Sequence, residues 1–265
     1  MTFESTKATG GVDLRVARLE PADNIVGVVQ IVHGFGEGIE HHQEVAELFT
    51  KHGYACVIYD QRGCGKFAGT GVLSKYSHLL TDIKTIKSQI DEWYPSKPVF
   101  LFGFSMGGNI VINHLLKHGG CSYAKTIIVS PWFNIRKPLP KHKSIPVRVF
   151  GFLSGKITAS TGPYTNRTLK DGIYQNRISF RLLTKIGDSG KFAIKNAAKI
   201  TLPMLLLYTH QDNVVSLTHI RKFLDNANDN IKSIEYNEGS HRLHSSVASN
   251  QVLNDMLAYI TSGGE

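Results

Sequence analysis

Val99-Phe100-Leu101-Phe102-Gly103-Phe104-Ser105-Met106-Gly107-Gly108 is the stretch around which the rest of the chain can be organised. Val99 to Phe102 has the continuous apolar character of a strand buried from both sides, and the run Asn109 to Leu116 continues as a helix. Between them stands G-x-S-x-G. The glycines flank a turn too tight for larger side chains, and that turn lifts the Ser105 hydroxyl out of the sheet at a helix N-terminus. The bare pattern is common by chance; the strand before it and the helix after it give it meaning.

Outward from this turn, short β-branched runs alternate with helical periodicities. Strands are expected at Val12 to Leu19, Ile25 to Val32, Ala55 to Tyr59, Val99 to Phe102, Thr126 to Val129, Met204 to Tyr208 and Lys232 to Tyr236. The clearest helix carries Leu79, Ile83, Ile86, Ile90 and Trp93 in steps of four and three and stops before Pro95. Others are expected at Glu40 to His52, Met106 to His118, Ser216 to Asn226 and His244 to Ile260. The alternation predicts an α/β fold with a mostly parallel central sheet and helices on both faces. It fails between Trp132 and Ile200, which reads as a helical cap inserted into the frame, with a short helix such as Arg177 to Ile186. The expected division is a core of residues 1–131 and 200–265 and a cap of residues 132–199.

A serine hydroxyl needs a base, and the base a carboxylate that fixes its tautomer. In chain order after Ser105, Asp212 follows the strand Met204 to Tyr208, and His241 follows the strand Lys232 to Tyr236. Strand ends are where α/β sheets gather their ligands. His244 is the rival base, and Asp225, Asp229 and Glu238 are rival acids; the loop position favours His241. His33-Gly34-Phe35-Gly36-Glu37, directly after another strand, fits an H-G-x-G loop that offers one amide to an oxyanion. The residue after the serine offers the second, so the backbone N–H groups of Phe35 and Met106 are the candidate oxyanion hole. These glycines do not make a dinucleotide fingerprint, and Gly63-Cys64-Gly65-Lys66-Phe67 lacks the first glycine and final hydroxyl of a phosphate loop.

On these pieces the sequence resembles the α/β-hydrolase superfamily, and within it the branch of monoacylglycerol lipases, lysophospholipases and serine aminopeptidase-like hydrolases. The resemblance runs through Gly53-Tyr54-Ala55, Tyr59-Asp60-Gln61-Arg62-Gly63, the Ser105 turn, Ser130-Pro131, Leu202 to Leu207, Asp212 and Gly239-Ser240-His241. It implies an α/β-hydrolase fold whose helical cap covers an acyl-binding tunnel, and a serine esterase acting on long-chain acyl esters without metal or cofactor. The chain departs from the family where the usual Asp-His-Arg-Gly-His-Gly reads Asp60-Gln61-Arg62-Gly63-Cys64-Gly65, and where the cap's Asn-Asp-Pro-Leu reads Asn176-Arg177-Ile178-Ser179.

Composition agrees with a globular protein: of 265 residues, 42% are apolar and 19% charged, which excludes a disordered or coiled-coil chain. The longest apolar runs are far shorter than the roughly 20 residues of a membrane span. Cys56, Cys64 and Cys121 are too few and too irregular for a disulfide framework or zinc site, and Met1 to Gly10 lacks the apolar heart of a secretory signal. A cytoplasmic protein is expected, and the sequon Asn166-Arg167-Thr168 then reads as chance. The net charge of +9 is localised: residues 132–199 hold fourteen lysines and arginines against Asp171 and Asp188, a net +12. That points to a solvated face or to peripheral contact with anionic membrane, and not to nucleic acid, since no aromatic stacking pattern accompanies it. The expected partner is a small, lipid-like acyl ester. Amide cleavage, acyl transfer and a catalytically idle binding module are the competing functions.

Overall fold

The computed structural model describes residues 1–65, 75–136, 158–160 and 177–262. An eight-stranded sheet runs in the order β1 (Thr2–Ala8), β2 (Val12–Leu19), β4 (Tyr54–Tyr59), β3 (Gly27–Val32), β5 (Val99–Phe104), β6 (Thr126–Val129), β9 (Met204–Thr209) and β10 (Ile231–Tyr236). All pairings from β4 to β10 are parallel, and β2 alone runs against the rest, paired antiparallel to both β1 and β4. Every residue of β3, β4, β5, β6 and β9 is buried, as their unbroken apolar character demands. The mostly parallel sheet with helices on both faces that the sequence predicts is the architecture of the chain.

Two apolar layers cover the sheet. One packs α2 (Tyr76–Trp93), α3 (Met106–His118), α4 (Phe180–Asn196) and α5 (Leu217–Asp225) on one face, through Leu79, Ile83, Ile110, Ile186 and Phe223. The other packs α1 (Gln43–Lys51) and α6 (Ser249–Thr261) on the opposite face, through Val45, Phe49, Val252 and Met256. α2 ends where Tyr94 meets Pro95, as its periodicity predicts.

Some elements differ from the sequence reading. β1 is additional: it joins β2 through the turn at Gly10 and Gly11, both at positive φ, and buries only Thr6 and Ala8. The expected helix Glu40 to His52 divides into a short 3-10 turn, Ile39–His42, and α1. The expected helix from His244 likewise divides into a 3-10 turn, Leu243–Ser245, and α6, because the Ser246 hydroxyl bonds back to the Leu243 carbonyl at 2.9 Å and closes the first turn. In the insertion, Arg177–Ser179 is not helical but forms β8, antiparallel to β7 (Thr158–Ser160). The helix begins only at Phe180, where the Ser179 hydroxyl caps it by accepting the Leu182 amide at 3.1 Å. α4 packs on α3 and also on the loop after β6, where a Cβ on Gly190 would lie 2.1 Å from the Phe133 carbonyl oxygen. The sequon and half of the basic residues of the insertion, the seven from Lys137 to Lys170, lie outside the described residues, as do Lys66 and Phe67. Among the described residues no helix is long and apolar enough to cross a membrane. All three cysteines are free, Cys56 and Cys64 buried and Cys121 exposed.

Candidate active site

Parallel strands deliver their following loops to one edge of the sheet, and the candidate residues sit on the loops after β3, β5, β9 and β10. Ser105 follows β5 at φ 52°, ψ −113°, a conformation a side-chain-bearing residue adopts only when its surroundings enforce it. The enforcement is steric. A Cβ on Gly107 would lie 2.0 Å from the Val32 carbonyl oxygen and 2.6 Å from that of His33, so the start of α3 is seated directly on the end of β3. One on Gly103 would lie 2.9 Å from the Gly108 Cα. The Ser105 amide donates to Val129 at 2.9 Å, and its carbonyl accepts from Trp132 at 2.9 Å and Asn109 at 3.1 Å. The backbone groups of Ser105 itself are thereby all used, and only its hydroxyl is left to face the neighbouring loops.

That hydroxyl lies 2.9 Å from His241 Nε2, and His241 Nδ1 lies 2.8 Å from Asp212 Oδ2. A carboxylate only accepts, so Nδ1 carries the proton and Nε2 presents a lone pair to the serine O–H. The other oxygen of Asp212 accepts the Val214 and Val215 amides at 2.8 and 3.0 Å. Burial alone would raise the Asp212 carboxyl; the charge and hydrogen bond of His241 and the two amides outweigh it and hold it below its ordinary value. Asp212 is 3% exposed, so this charge is sequestered for the histidine. The acid loop is pinned to the root of the insertion, where Arg136 donates a guanidinium N–H to the Asp212 carbonyl at 2.9 Å and its own amide to Val214 at 2.8 Å.

The rival residues lie elsewhere. Asp225, Asp229 and Glu238 are exposed. His244 is fully buried against Phe104 and His42, and neither ring nitrogen has a hydrogen-bond partner. Burial keeps it neutral, well below the usual histidine range.

Met106 is the first residue of α3, so its amide is among those a helix leaves without an internal partner. Phe35, the other oxyanion candidate, stands half-buried with its ring edge against Trp132, 6.3 Å between centroids. Its loop is shaped by His33, whose Nδ1–H donates to the Gly34 carbonyl at 2.7 Å while Nε2 accepts the Gln61 amide at 2.9 Å. Gln61 returns a side-chain N–H to the His33 carbonyl. Asp60 accepts the Ile39 amide at 2.9 Å and pairs with Arg15, and Arg62 makes a two-pronged pair with Asp82 at 2.6 and 2.7 Å. The stretch Asp60 to Gly65 therefore braces the loops around the site. Cys64 is buried, with its thiol pushed up to about 12.

Glu37 and Arg242 were not singled out by sequence. Glu37 accepts from the Gly34 amide and from His42 Nε2, both at 2.9 Å, and from the Arg242 guanidinium. The pairing spans the chain from the loop after β3 to the loop after β10, and no local pattern announces it.

Comparison with known proteins follows the same outline. The family model described as "Serine aminopeptidase, S33" matches residues 23–246. The chain is 23% identical over 270 residues to a monoacylglycerol lipase of Mycolicibacterium smegmatis, covering 97% of this chain and 96% of that protein. It is 21% identical over 236 residues to a phospholipase of Bacillus subtilis, covering 82% and 88% respectively. Among solved structures, the monoacylglycerol lipase of Paleococcus ferrophilus superposes with a TM-score of 0.84 at 21% identity, covering 94% of this chain and 98% of that one. At such identity the structural likeness is one of fold.

Proposed function

The chain belongs to the serine aminopeptidase family of serine hydrolases, and on that premise we propose that it cleaves the fatty-acyl ester of a monoacylglycerol or lysophospholipid through an acyl-enzyme on Ser105. The observation that carries the reading is the continuous hydrogen-bonded path from Ser105 Oγ through His241 to Asp212, at 2.9 and 2.8 Å. The named lipases and phospholipase among its relatives supply the substrate class.

The chemistry follows from the protons. Ser105 Oγ attacks the ester carbonyl as its proton passes to His241 Nε2; Asp212 holds Nδ1–H in place and stabilises the imidazolium. The Phe35 and Met106 amides receive the developing oxyanion, aided by the positive end of α3. Collapse breaks the ester C–O bond, and His241 returns the proton to the departing alcohol. Water then repeats the sequence on the acyl-enzyme and frees the fatty acid. No step calls on a metal or cofactor. The insertion, residues 132–199, serves as the lid over the acyl site, and its net positive charge brings it to anionic lipid surfaces.

The test is a matched panel: a long-chain monoacylglycerol, a lysophospholipid, a short-chain aryl ester and an aminoacyl arylamide. Release of fatty acid from either of the first two is expected. Ser105→Ala, folded as judged by circular dichroism, should lower it by about a thousandfold or more. Substantial turnover by that variant would defeat the serine mechanism. Cleavage confined to the arylamide would transfer the protein to the peptidase side of its family.

A further inference from the structure

Two loops must meet at a fixed distance for this site to work. The loop after β3 carries the Phe35 amide, and the loop after β10 carries His241; they are far apart in sequence and no strand pairing joins β3 to β10. A buried carboxylate joins them. Glu37 fixes its own loop by accepting the Gly34 amide, the peptide next to Phe35, at 2.9 Å. Its second oxygen takes an N–H from Arg242, the residue next to His241. Arg242 reaches further and donates to the His41 carbonyl at 2.8 Å, so the base loop is tied to the loop after β3 at two points. Glu37 is 4% exposed, and the Arg242 side chain is 17% exposed. An ion pair so placed does not slide, because parting it would strand a charge away from water.

The surroundings leave Arg242 as the cation of this carboxylate. The other groups facing Glu37 are His33, His41, His42 and His244, together with the Cys64 thiol. His42, brought down to about 4 by burial, is neutral at pH 7 and contributes a hydrogen bond and not a charge. Burial works against ionised Glu37; Arg242 and the His42 hydrogen bond overcome it and keep the carboxyl well below its usual range.

We propose that Glu37 and Arg242 are a positioning pair that sets the Phe35 oxyanion amide against the His241 imidazole. The proposal rests on the functional reading above and deepens it: neither side chain touches substrate, and both act through the residues beside them.

Fluorophosphonate labelling of Ser105 tests this without a choice of substrate, because labelling needs both the base and the oxyanion amides, and the labelled fraction counts folded sites. Arg242→Gln should label about ten- to a hundredfold more slowly, with kcat per labelled site lowered alike and KM changed by less than about twofold. The charge-neutral double variant Glu37→Gln/Arg242→Gln strands no buried charge and should show the same loss per labelled site. Arg242→Lys, which keeps the charge but not the two-armed reach, should fall between it and the wild type. A wild-type labelling rate in the double variant overturns the proposal, as does a loss confined to KM or to the labelled fraction. Labelling that survives Ser105→Ala overturns the reading of the site itself, and the positioning role with it.

Discussion

The turn that carries Ser105 and the loop that carries His241 reach the same point by different physics. Ser105 follows β5, a wholly buried strand in the middle of the sheet, and its position is dictated by backbone contact: Gly107 against the Val32 carbonyl, Gly103 against Gly108. His241 follows β10, an edge strand of which only Tyr236 is buried, and its position is dictated by side chains: Asp212 on the ring, Glu37 on the neighbouring Arg242. A serine held by close backbone contact needs no charge to keep it in place; a histidine on a sheet edge does. Sterics thus settle one half of the site and electrostatics the other.

Asp212→Asn bears hardest on this contrast. The amide keeps an oxygen for Val214 and Val215 but offers His241 Nδ1 no dependable acceptor, so the ring is free to take the wrong tautomer. A fall in kcat of about a thousand- to ten-thousandfold is expected with little change in the urea midpoint. A mild effect would mean that Arg242 alone holds the base loop.

Next in size is a pair of glycine substitutions. Gly107→Ala drives a methyl into backbone atoms that cannot yield, so α3 must lift from β3. A loss of more than about 3 kcal/mol of stability is expected, with catalysis falling as well. Gly239, in the base loop, sits at φ +121°, and there a Cβ would meet the end of the Leu243 side chain at 2.6 Å. Leu243 can turn aside, leaving a backbone strain of about 1–3 kcal/mol for Gly239→Ala. Denaturant titration of the two variants ranks them; equal losses would erase the distinction between a backbone-held turn and a side-chain-held loop.

The same distinction governs what the sequence discloses. Backbone-held features leave local signatures: the apolar run Val99 to Phe102, the glycines around Ser105 and the β-branched interior strands are legible because burial from both sides fixes their composition. Asp212 is legible because it follows such a run, β9, and His241 because it follows the next strand, β10, in the chain order a serine's base requires. Features fixed by partners distant in sequence leave no signature. Thr2–Ala8 pairs as an edge strand while facing mostly solvent, so Phe3, Ser5 and Lys7 give it no apolar stripe. Arg177–Ser179 is a strand only because Thr158–Ser160 lies beside it. Glu37 and Arg242 are separated by 205 residues, and only the fold makes them neighbours.

The smallest effect expected is also the most selective. The supports of the base loop titrate and those of the serine turn do not. His42 is brought down to about 4 and His244 is held well below its ordinary value, both by burial first; Glu37, Arg242, His33 and His241 are the other charged or titratable groups around them. A histidine whose folded pKa lies below its unfolded value of about 6.5 adds stability that is fully present above that pH. As pH falls toward 4, an opened form takes up the proton that the folded form refuses, and each such histidine withdraws up to about 1.4 kcal/mol per pH unit. Glu37, held low, withdraws its own contribution only below its unfolded value, in a more acid window. Hydrogen exchange at pH 5 and pH 7, corrected for intrinsic rates, should therefore show loosened amides across residues 237–246 at the lower pH while residues 99–110 keep their protection. Uniform loosening of both segments would mean that acid acts on the fold as a whole, and that the base loop has no titrating support of its own.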